Sequence, residues 1–465
     1  MKGVASSQRD RQSGGVVLRG RLNGHAATSR RRPGAFPSIT HTSLARENAG
    51  IGSYERAVGR LTNVVTFVDQ RLDVGSHGVR VSQADDRYPQ ALVRRQPGGR
   101  MDERVRRHAE ILVEDCVDVE PGDMVEVIAP AVAEDLVVAV YERLGEVGAR
   151  PTLTWRNARA SRAYARAMDE DDYTLLEHRL AALEETDAYI GIRGDRNIAE
   201  DSDVPPENTT AARRTNTEIQ EQLAETRWVG TQYPAPGNAQ KAEMSTEAYE
   251  DFVYRAVDRD WDEQREFQAQ LVEILDGASE VRIVSGNETD LTMSVDGMTP
   301  ENDADDANMP GGEVFTAPVP DSVEGTVHFD LPRMWRGKEI LDARLTFEDG
   351  EVVEYSATQH EDALDEILET DEGAKRIGEL GIGMNRGIDR FTYNMLFDEK
   401  MGDTVHLALG RAYEENVGED RERNDSSIHV DMITDMSEDS FIEVDGEVVQ
   451  RDGTFVFEEG FDDAD

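Results

Sequence analysis

A single cysteine, Cys116, stands in the 465 residues, so one chain can build neither a disulfide framework nor a thiolate zinc site. Any bound metal has to rest on oxygen and nitrogen. Lysine is nearly as scarce, with only Lys2, Lys241, Lys338, Lys375 and Lys400. No apolar run approaches the ~18 residues that a membrane-spanning helix needs. Arg30, Arg31 and Arg32 resemble the start of a twin-arginine signal, but Pro33, Gly34 and Pro37 occupy the place of its apolar core. Export is therefore not expected, and a cytoplasmic location is. A glycine-rich nucleotide fingerprint is also missing. The nearest stretch, "GELGIGMN" from Gly378, has imperfect spacing and does not open a helix after a strand.

What the chain has in excess is acid. Its 96 Asp and Glu against 50 Lys and Arg give a formal charge of −46. Such a carboxylate field repels phosphate backbones and anionic headgroups, so neither nucleic acid nor a membrane is an expected partner. A surface tuned to bind cations is one reading. The favoured one is a solvated surface adapted to high salt, where screening removes the self-repulsion, and it makes a halophilic source the expectation.

The acid is unevenly spread. Residues 1–100 carry 17 basic and 7 acidic side chains, which leaves 33 basic and 89 acidic for residues 101–465. The first hundred residues are rich in Arg, Gly and Ser and show no sustained periodicity. They read as a disordered arm, a transit-like peptide or, in preference, upstream DNA read in frame. From Met101 the amphipathic "MDERVRRHAEILVEDCV" opens an alternation of helices and strands, with strands at "MVEVIAP", "PTLTW", "DAYIGIRG" and "RWVGTQYP". That rhythm predicts an α/β domain over 101–265 with an open, mostly parallel sheet. After the helix "DEQREFQAQLVEILDGA" strands dominate. Hairpin turns are expected at Asp349-Gly350, Asp445-Gly446 and Asp452-Gly453, giving an α+β domain over 266–465.

Strong metal ligands recur in that second half. They fall in "NMPGGEVFTAP" (Glu313), "AKRIGELGIGMN" (Glu379), "LFDEKMGDTVHLALGRAY" (Glu399, His406) and "SSIHVDMI" (His429, Asp431). Strand alternation places Thr404, His406 and Ala408 on one face, and His429 with Asp431 on one face. Two histidines and four carboxylates suit two divalent ions such as zinc, cobalt or manganese. Each segment alone is weak evidence, since a strand histidine is more often core and a glutamate means little among 96 acids. His328 in "VHFD" has the same spacing as His429 and Asp431, and spacing does not separate the two pairs. His108, His178 and His360 read as surface residues, and Cys116 as buried.

Taken in order, "TDLTMSV", "NMPGGEVFTAPVPDSVEGTV", "GELGIGMN", "LFDEK", "VHLALGRAYEENVG" and "IHVDMI" resemble the aminopeptidase T family, the thermophilic or leucyl-type metallo-aminopeptidases. The resemblance runs from Met101 to about Gly460. It implies a homodimeric enzyme that removes the first residue of small peptides with two divalent ions. On this resemblance Glu313, Glu379, His406, His429 and Asp431 are ligands. Glu399 is a ligand too, although its stretch to the histidine is longer than the family pattern. Tyr413 is placed to hydrogen-bond the attacking water or the oxyanion. The expected division has Glu379 bridging the ions, Glu313, His429 and Asp431 completing one shell, and His406 with Glu399 completing the other. Glu313 or Glu379 would shuttle the proton. The resemblance gives His328 no role. Another two-metal hydrolase and a non-catalytic metal-binding protein are the alternatives.

Overall fold

The structure, a computed structural model, describes residues 101–305, 307–418, 421 and 423–461. The expectation for residues 1–100 lies outside these.

The first half is a parallel sheet covered by helices. After helix α1 (Glu103–Glu110), which continues as one π-helical turn to Cys116, come strand β1 (Met124–Pro130), α2 (Glu134–Val147) and β2 (Arg150–Arg156). Then follow α3 (Ala158–Ala165), β3 (Ala188–Arg193) and β4 (Arg227–Gln232). Helix α2 ends where expected, at Gly148 in the left-handed region with φ 92°. The strand order is β2-β1-β3-β4-β8, parallel at every pairing. The last member, β8 (Asn308–Met309), comes from beyond the expected boundary at residue 265. Val125, Val127, Ile190 and Val229 are buried in the sheet, as expected of strands covered on both faces.

His108 is a correction to the sequence reading. It is buried rather than exposed, because it shares the inward stripe of its helix with Val105 and Leu112. The Thr231 hydroxyl donates to the Met309 carbonyl at 2.8 Å, which leaves its oxygen to accept from His108 Nε2, also at 2.8 Å. Burial pushes the ring down to about 3, so it is neutral. Cys116 is half-buried against the same core, and His178 and His360 are exposed.

Beyond α4 (Thr246–Val257) and α5 (Trp261–Leu275), antiparallel pairing takes over. One sheet of eight strands joins β5 (Glu280–Ser285), β6 (Thr289–Ser294), β10 (Glu324–Phe329), β13 (Ala343–Glu348) and β14 (Glu351–Ser356) to β18 (Ser440–Val444), β19 (Glu447–Arg451) and β20 (Thr454–Phe455). Its three Asp-Gly corners have positive φ at both central residues: 50° and 77° at Asp349-Gly350, 50° and 86° at Asp445-Gly446, 47° and 76° at Asp452-Gly453. That is the turn whose twist matches flanking strands. A short ribbon pairs β11 (Arg333–Trp335) with β12 (Lys338–Ile340). The remaining sheet has the order β17-β16-β15-β9-β7, from β7 (Glu301–Asp303), β9 (Glu313–Thr316), β15 (Ile377–Gly383), β16 (Thr404–Gly410) and β17 (His429–Asp435). Leu380, Ile382, Val405, Leu407 and Met432 from one face of this sheet enter a core shared with the eight-stranded sheet and α5. The opposite face is free to carry polar groups.

Candidate metal centre

Register across β9, β15, β16 and β17 decides what meets on that face. Glu379 pairs with Ala408, and Ala408 pairs with Asp431; Gly381 pairs with His406, and Gly410 with His429; Gly383 pairs with Glu313. Residues directly opposite share a face, so all five ligand-type side chains project from one side, each opposite a glycine or alanine. The small residues make the room. A Cβ on Gly381 would lie 1.9 Å from His406 Nε2, so the imidazole occupies the space that a side chain at 381 would fill.

The donors converge. His406 Nε2 is 3.1 Å from Glu379 Oε1 and 3.2 Å from Glu313 Oε2, and His429 Nε2 is 3.5 Å from Glu379 Oε2 and 3.1 Å from Asp431 Oδ1. Two groups result, Glu313-Glu379-His406 and Glu379-His429-Asp431, each able to present one atom apiece within 4.8 Å of one another. Glu379 belongs to both. Glu313 therefore sits with His406, not beside His429 and Asp431 as the sequence reading divided them, because β9 pairs with β15 on the side away from β17. Among the described residues Glu399 falls in neither group. It follows the short helix Met395–Asp398, lines one cavity with Glu313, Glu379, His429 and Asp431, and accepts a hydrogen bond from Lys400 at 2.6 Å. Tyr413 lines the cavity too, with its ring 4.9 Å from that of His429 and 6.1 Å from that of Phe315. His328 stands apart on β10 between Glu288 and Asp342, at 3.3 and 3.6 Å.

Lys400 is the residue that sequence reasoning missed. It is 0% exposed and holds Glu399 Oε1 at 2.6 Å, Glu313 Oε1 at 2.7 Å and Asp303 Oδ2 at 3.4 Å. Burying an ammonium costs several kcal/mol unless it is paired, and three carboxylates supply the pairing. The signal available was slight: one of five lysines, between buried Phe397 and Met401.

Protonation follows from this crowding. Burial disfavours charge on His406, but the hydrogen bond to Glu379 and the charges of Glu313 and Glu379 outweigh it and push the ring up to about 9. His429 is likewise opposed by burial and raised to about 9, by Asp431 and Glu379. Burial lifts Glu313 to about 8 in spite of Lys400. Asp431 is held well below the usual carboxylate range; burial works against this, and the His429 hydrogen bond and charge overcome it. Tyr413 is pushed up by burial and neighbouring carboxylates, so its hydroxyl keeps its proton and can donate.

The residues fit metal ions. His429 Nδ1 donates to the Arg411 carbonyl at 2.8 Å, a bond that fixes the tautomer with Nε2 as the free donor atom turned toward the carboxylates. Glu313 Oε2 is buried and, although 3.2 Å from His406 Nε2, accepts no hydrogen bond of normal geometry. A set of carboxylate oxygens and imidazole nitrogens, with no sulfur, suits divalent zinc, cobalt or manganese.

Comparison with known proteins decides the family, since the profile of thermophilic metalloproteases (M29) matches residues 101–461. The chain belongs to that family. Aminopeptidase 2 of Geobacillus stearothermophilus is 29% identical over 414 residues, covering 77% of this chain and 99% of that one. Aminopeptidase T of Thermus aquaticus is 28% identical, covering 76% and 96%. Among solved structures, wild-type AmpT from Thermus thermophilus superposes with a TM-score of 0.68 at 24% identity, over 76% of this chain and 99% of that one. A 2,5-dihydroxypyridine dioxygenase from Pseudomonas putida KT2440 gives 0.50 at 18%, over 77% and 97%. At such identities the structural likeness is one of fold, and fold alone does not choose a chemistry. The M29 membership does: the chain is a metallo-aminopeptidase that takes divalent metal. No helix among its described residues is long and apolar enough to cross a membrane.

Proposed function

We propose that this M29 enzyme releases the N-terminal residue of small peptides at a site holding two divalent ions, with Glu379 shared between them. The observation that carries the reading is the membership of Glu379 in both donor groups. Charge agrees. With both histidines neutral as ligands, Asp303, Glu313, Glu379, Glu399 and Asp431 against Lys400 leave a formal charge of −4, which two divalent cations neutralise. Glu313 and His406 would hold one ion, and His429 and Asp431 the other.

When bound, such ions lower the pKa of water to near neutrality and polarise a scissile carbonyl. The chain's own groups do the rest. The cavity of about 330 Å³ admits a short peptide end, and Trp228 and Phe315 supply apolar wall. The carboxylates of the cavity draw in the substrate's free ammonium, which favours exopeptidase action. Tyr413, protonated, donates a hydrogen bond to the developing oxyanion. Of the two glutamates on Lys400, Glu399 lies outside both donor groups, and burial raises its pKa. We assign it, rather than Glu313 or Glu379, the transfer of a proton to the leaving amine.

The homodimer and the cytoplasmic setting are part of the same reading, as is a division near residue 265 into an α/β and an α+β domain. The test is turnover of aminoacyl-anilides and dipeptides by protein loaded with cobalt, zinc or manganese in high salt. N-terminal release that stops with chelator and returns with metal supports the proposal. Chelator-insensitive turnover removes it. Hydrolysis confined to dipeptides or amides turns the assignment to another two-metal hydrolase, and metal uptake without turnover turns it to a binding protein.

A further inference from the structure

A second cavity lies away from the carboxylates, at the carboxyl ends of the parallel strands. It encloses about 690 Å³ and is lined by Pro130 at the end of β1, Arg156 at the end of β2, Arg193 at the end of β3 and Gln232 at the end of β4. The order β2-β1-β3 means that the chain winds one way from β1 to β2 and the other way to β3. The crevice left at such a reversal is where open α/β sheets take their ligands. Helix α3 also begins there, with Asn157 as its N-cap and Ala158 in the lining.

The charge of this cavity runs against the rest of the chain. Residues 101–465 hold 89 acidic and 33 basic side chains, yet the lining contributes Arg156, Arg159, Arg193, Arg196 and Lys241 against only Asp195 and Glu200. The four arginines make no ion pair with any described carboxylate; Arg150, Arg213 and Arg214 elsewhere make none either, so what sets this cavity apart is that four such arginines share one lining. Four exposed, unpaired arginines around one concavity concentrate positive charge there and suit it to an anion from outside. Deeper in the lining, Gln232 and Thr392 are buried. The hydroxyl of Tyr249, beside Asn394, is buried without a hydrogen-bond partner of normal geometry. The space exceeds an inorganic ion and falls within the range of small-molecule sites. Guanidinium groups and a helix start are the usual recognition elements for phosphate.

We propose that this cavity binds a phosphate-bearing small molecule of about mononucleotide size, at a site separate from the metal centre. The probe is adenosine monophosphate, titrated by calorimetry into the zinc-loaded enzyme at the lowest KCl at which circular dichroism shows the fold retained. Affinity is expected to fall as KCl rises. It is expected to weaken at least about tenfold in the Arg156→Ala/Arg193→Ala variant, since each charge-assisted bond carries roughly that factor. The His406→Ala variant should bind as the parent does. The proposal is overturned if the parent does not bind the probe, if the arginine variant binds it unchanged, or if His406→Ala abolishes binding, which would put the phosphate on the metals. Adenosine binding as tightly as the monophosphate removes the phosphate requirement, and inorganic phosphate binding as tightly removes the size requirement; either result overturns it. Should the double variant lose its fold, Arg159→Ala and Arg196→Ala, both at exposed side chains, replace it under the same criterion.

Discussion

His406 and His429 face each other across one carboxylate, with Glu379 Oε1 3.1 Å from the first ring and Oε2 3.5 Å from the second. Each histidine has its own further acid, Glu313 or Asp431. The arrangement makes Glu379 unlike the other carboxylates, because its loss touches both donor groups at once. Glu379→Ala is expected to lower kcat by about 10³-fold or more and to remove both ions from purified protein. Asp431→Ala should remove one and retain the other. Metal analysis reads the difference, and retention of both ions by Glu379→Ala would contradict the shared role.

Glu399 separates two roles that geometry keeps distinct. As a ligand, its replacement would cost metal; as the proton carrier, it would cost turnover alone. Glu399→Gln keeps the shape and an amide oxygen that can accept from Lys400 while removing the titratable group. Full metal content is expected, with kcat reduced by about 10²–10⁴-fold. Metal loss at normal protein stability would return Glu399 to the ligand set implied by the family resemblance.

The α/β and antiparallel halves were legible because strand and helix periods show in the sequence, and the Asp-Gly corners require a backbone that few other pairs tolerate. His406 beside Ala408, and His429 beside Asp431, were legible for the same reason: period two on a strand needs no knowledge of neighbours. Grouping Glu313 with His406 was not legible, since it depends on β9 lying against β15 while β17 lies against β16. Nor was Lys400, whose partners Asp303, Glu313 and Glu399 come from three segments. His108 was misread because its neighbours in sequence are charged while its helix stripe faces the sheet. The strand β8, two residues long, is set by pairing with Gly230 and Thr231 and has no periodicity to reveal it.

Lys400 is expected to matter most before metal arrives. In the metal-free chain it is the buried countercharge of Glu313 and Glu399, and removing one partner of a buried ion pair leaves the others uncompensated. Lys400→Met should destabilise the metal-free protein by about 3–5 kcal/mol in urea unfolding. Added zinc should recover part of that loss, because cations take over the neutralisation. Equal destabilisation with and without metal would mean that Lys400 acts through packing alone.

The raised histidines and Glu313 also give a sign to pH. His406 and His429 rise from 6.5 to about 9, and Glu313 from 4.5 to about 8. Each group binds its proton more tightly in the folded metal-free chain than in the unfolded one, so its stabilisation is complete below the unfolded value and is lost as pH climbs through the folded value. The melting temperature of metal-free protein should therefore fall between about pH 6 and pH 9. Metal loading at pH 7 should expel a proton from each histidine and from Glu313, because ligands bind deprotonated. Calorimetry in buffers of different ionisation enthalpy measures that release. A loading reaction without proton release would show that the rings are neutral beforehand.

Salt should act on the surface in the opposite sense to its action at the arginine-lined cavity. The chain's formal charge is −46, and the mutual repulsion of so many carboxylates opposes the compact state. Raising KCl from about 0.1 M to about 1 M shortens the screening length from ~10 Å to ~3 Å, less than the spacing of most surface charges. Repulsion then drops while ion pairs buried with Lys400 are little affected. The melting temperature is expected to rise continuously into the molar range, and to rise by the same amount in KCl and in a chloride salt of another monovalent cation. A melting temperature that stays flat or falls would mean that the carboxylates are not under strain at low salt, and that the acidic surface serves something other than a saline environment.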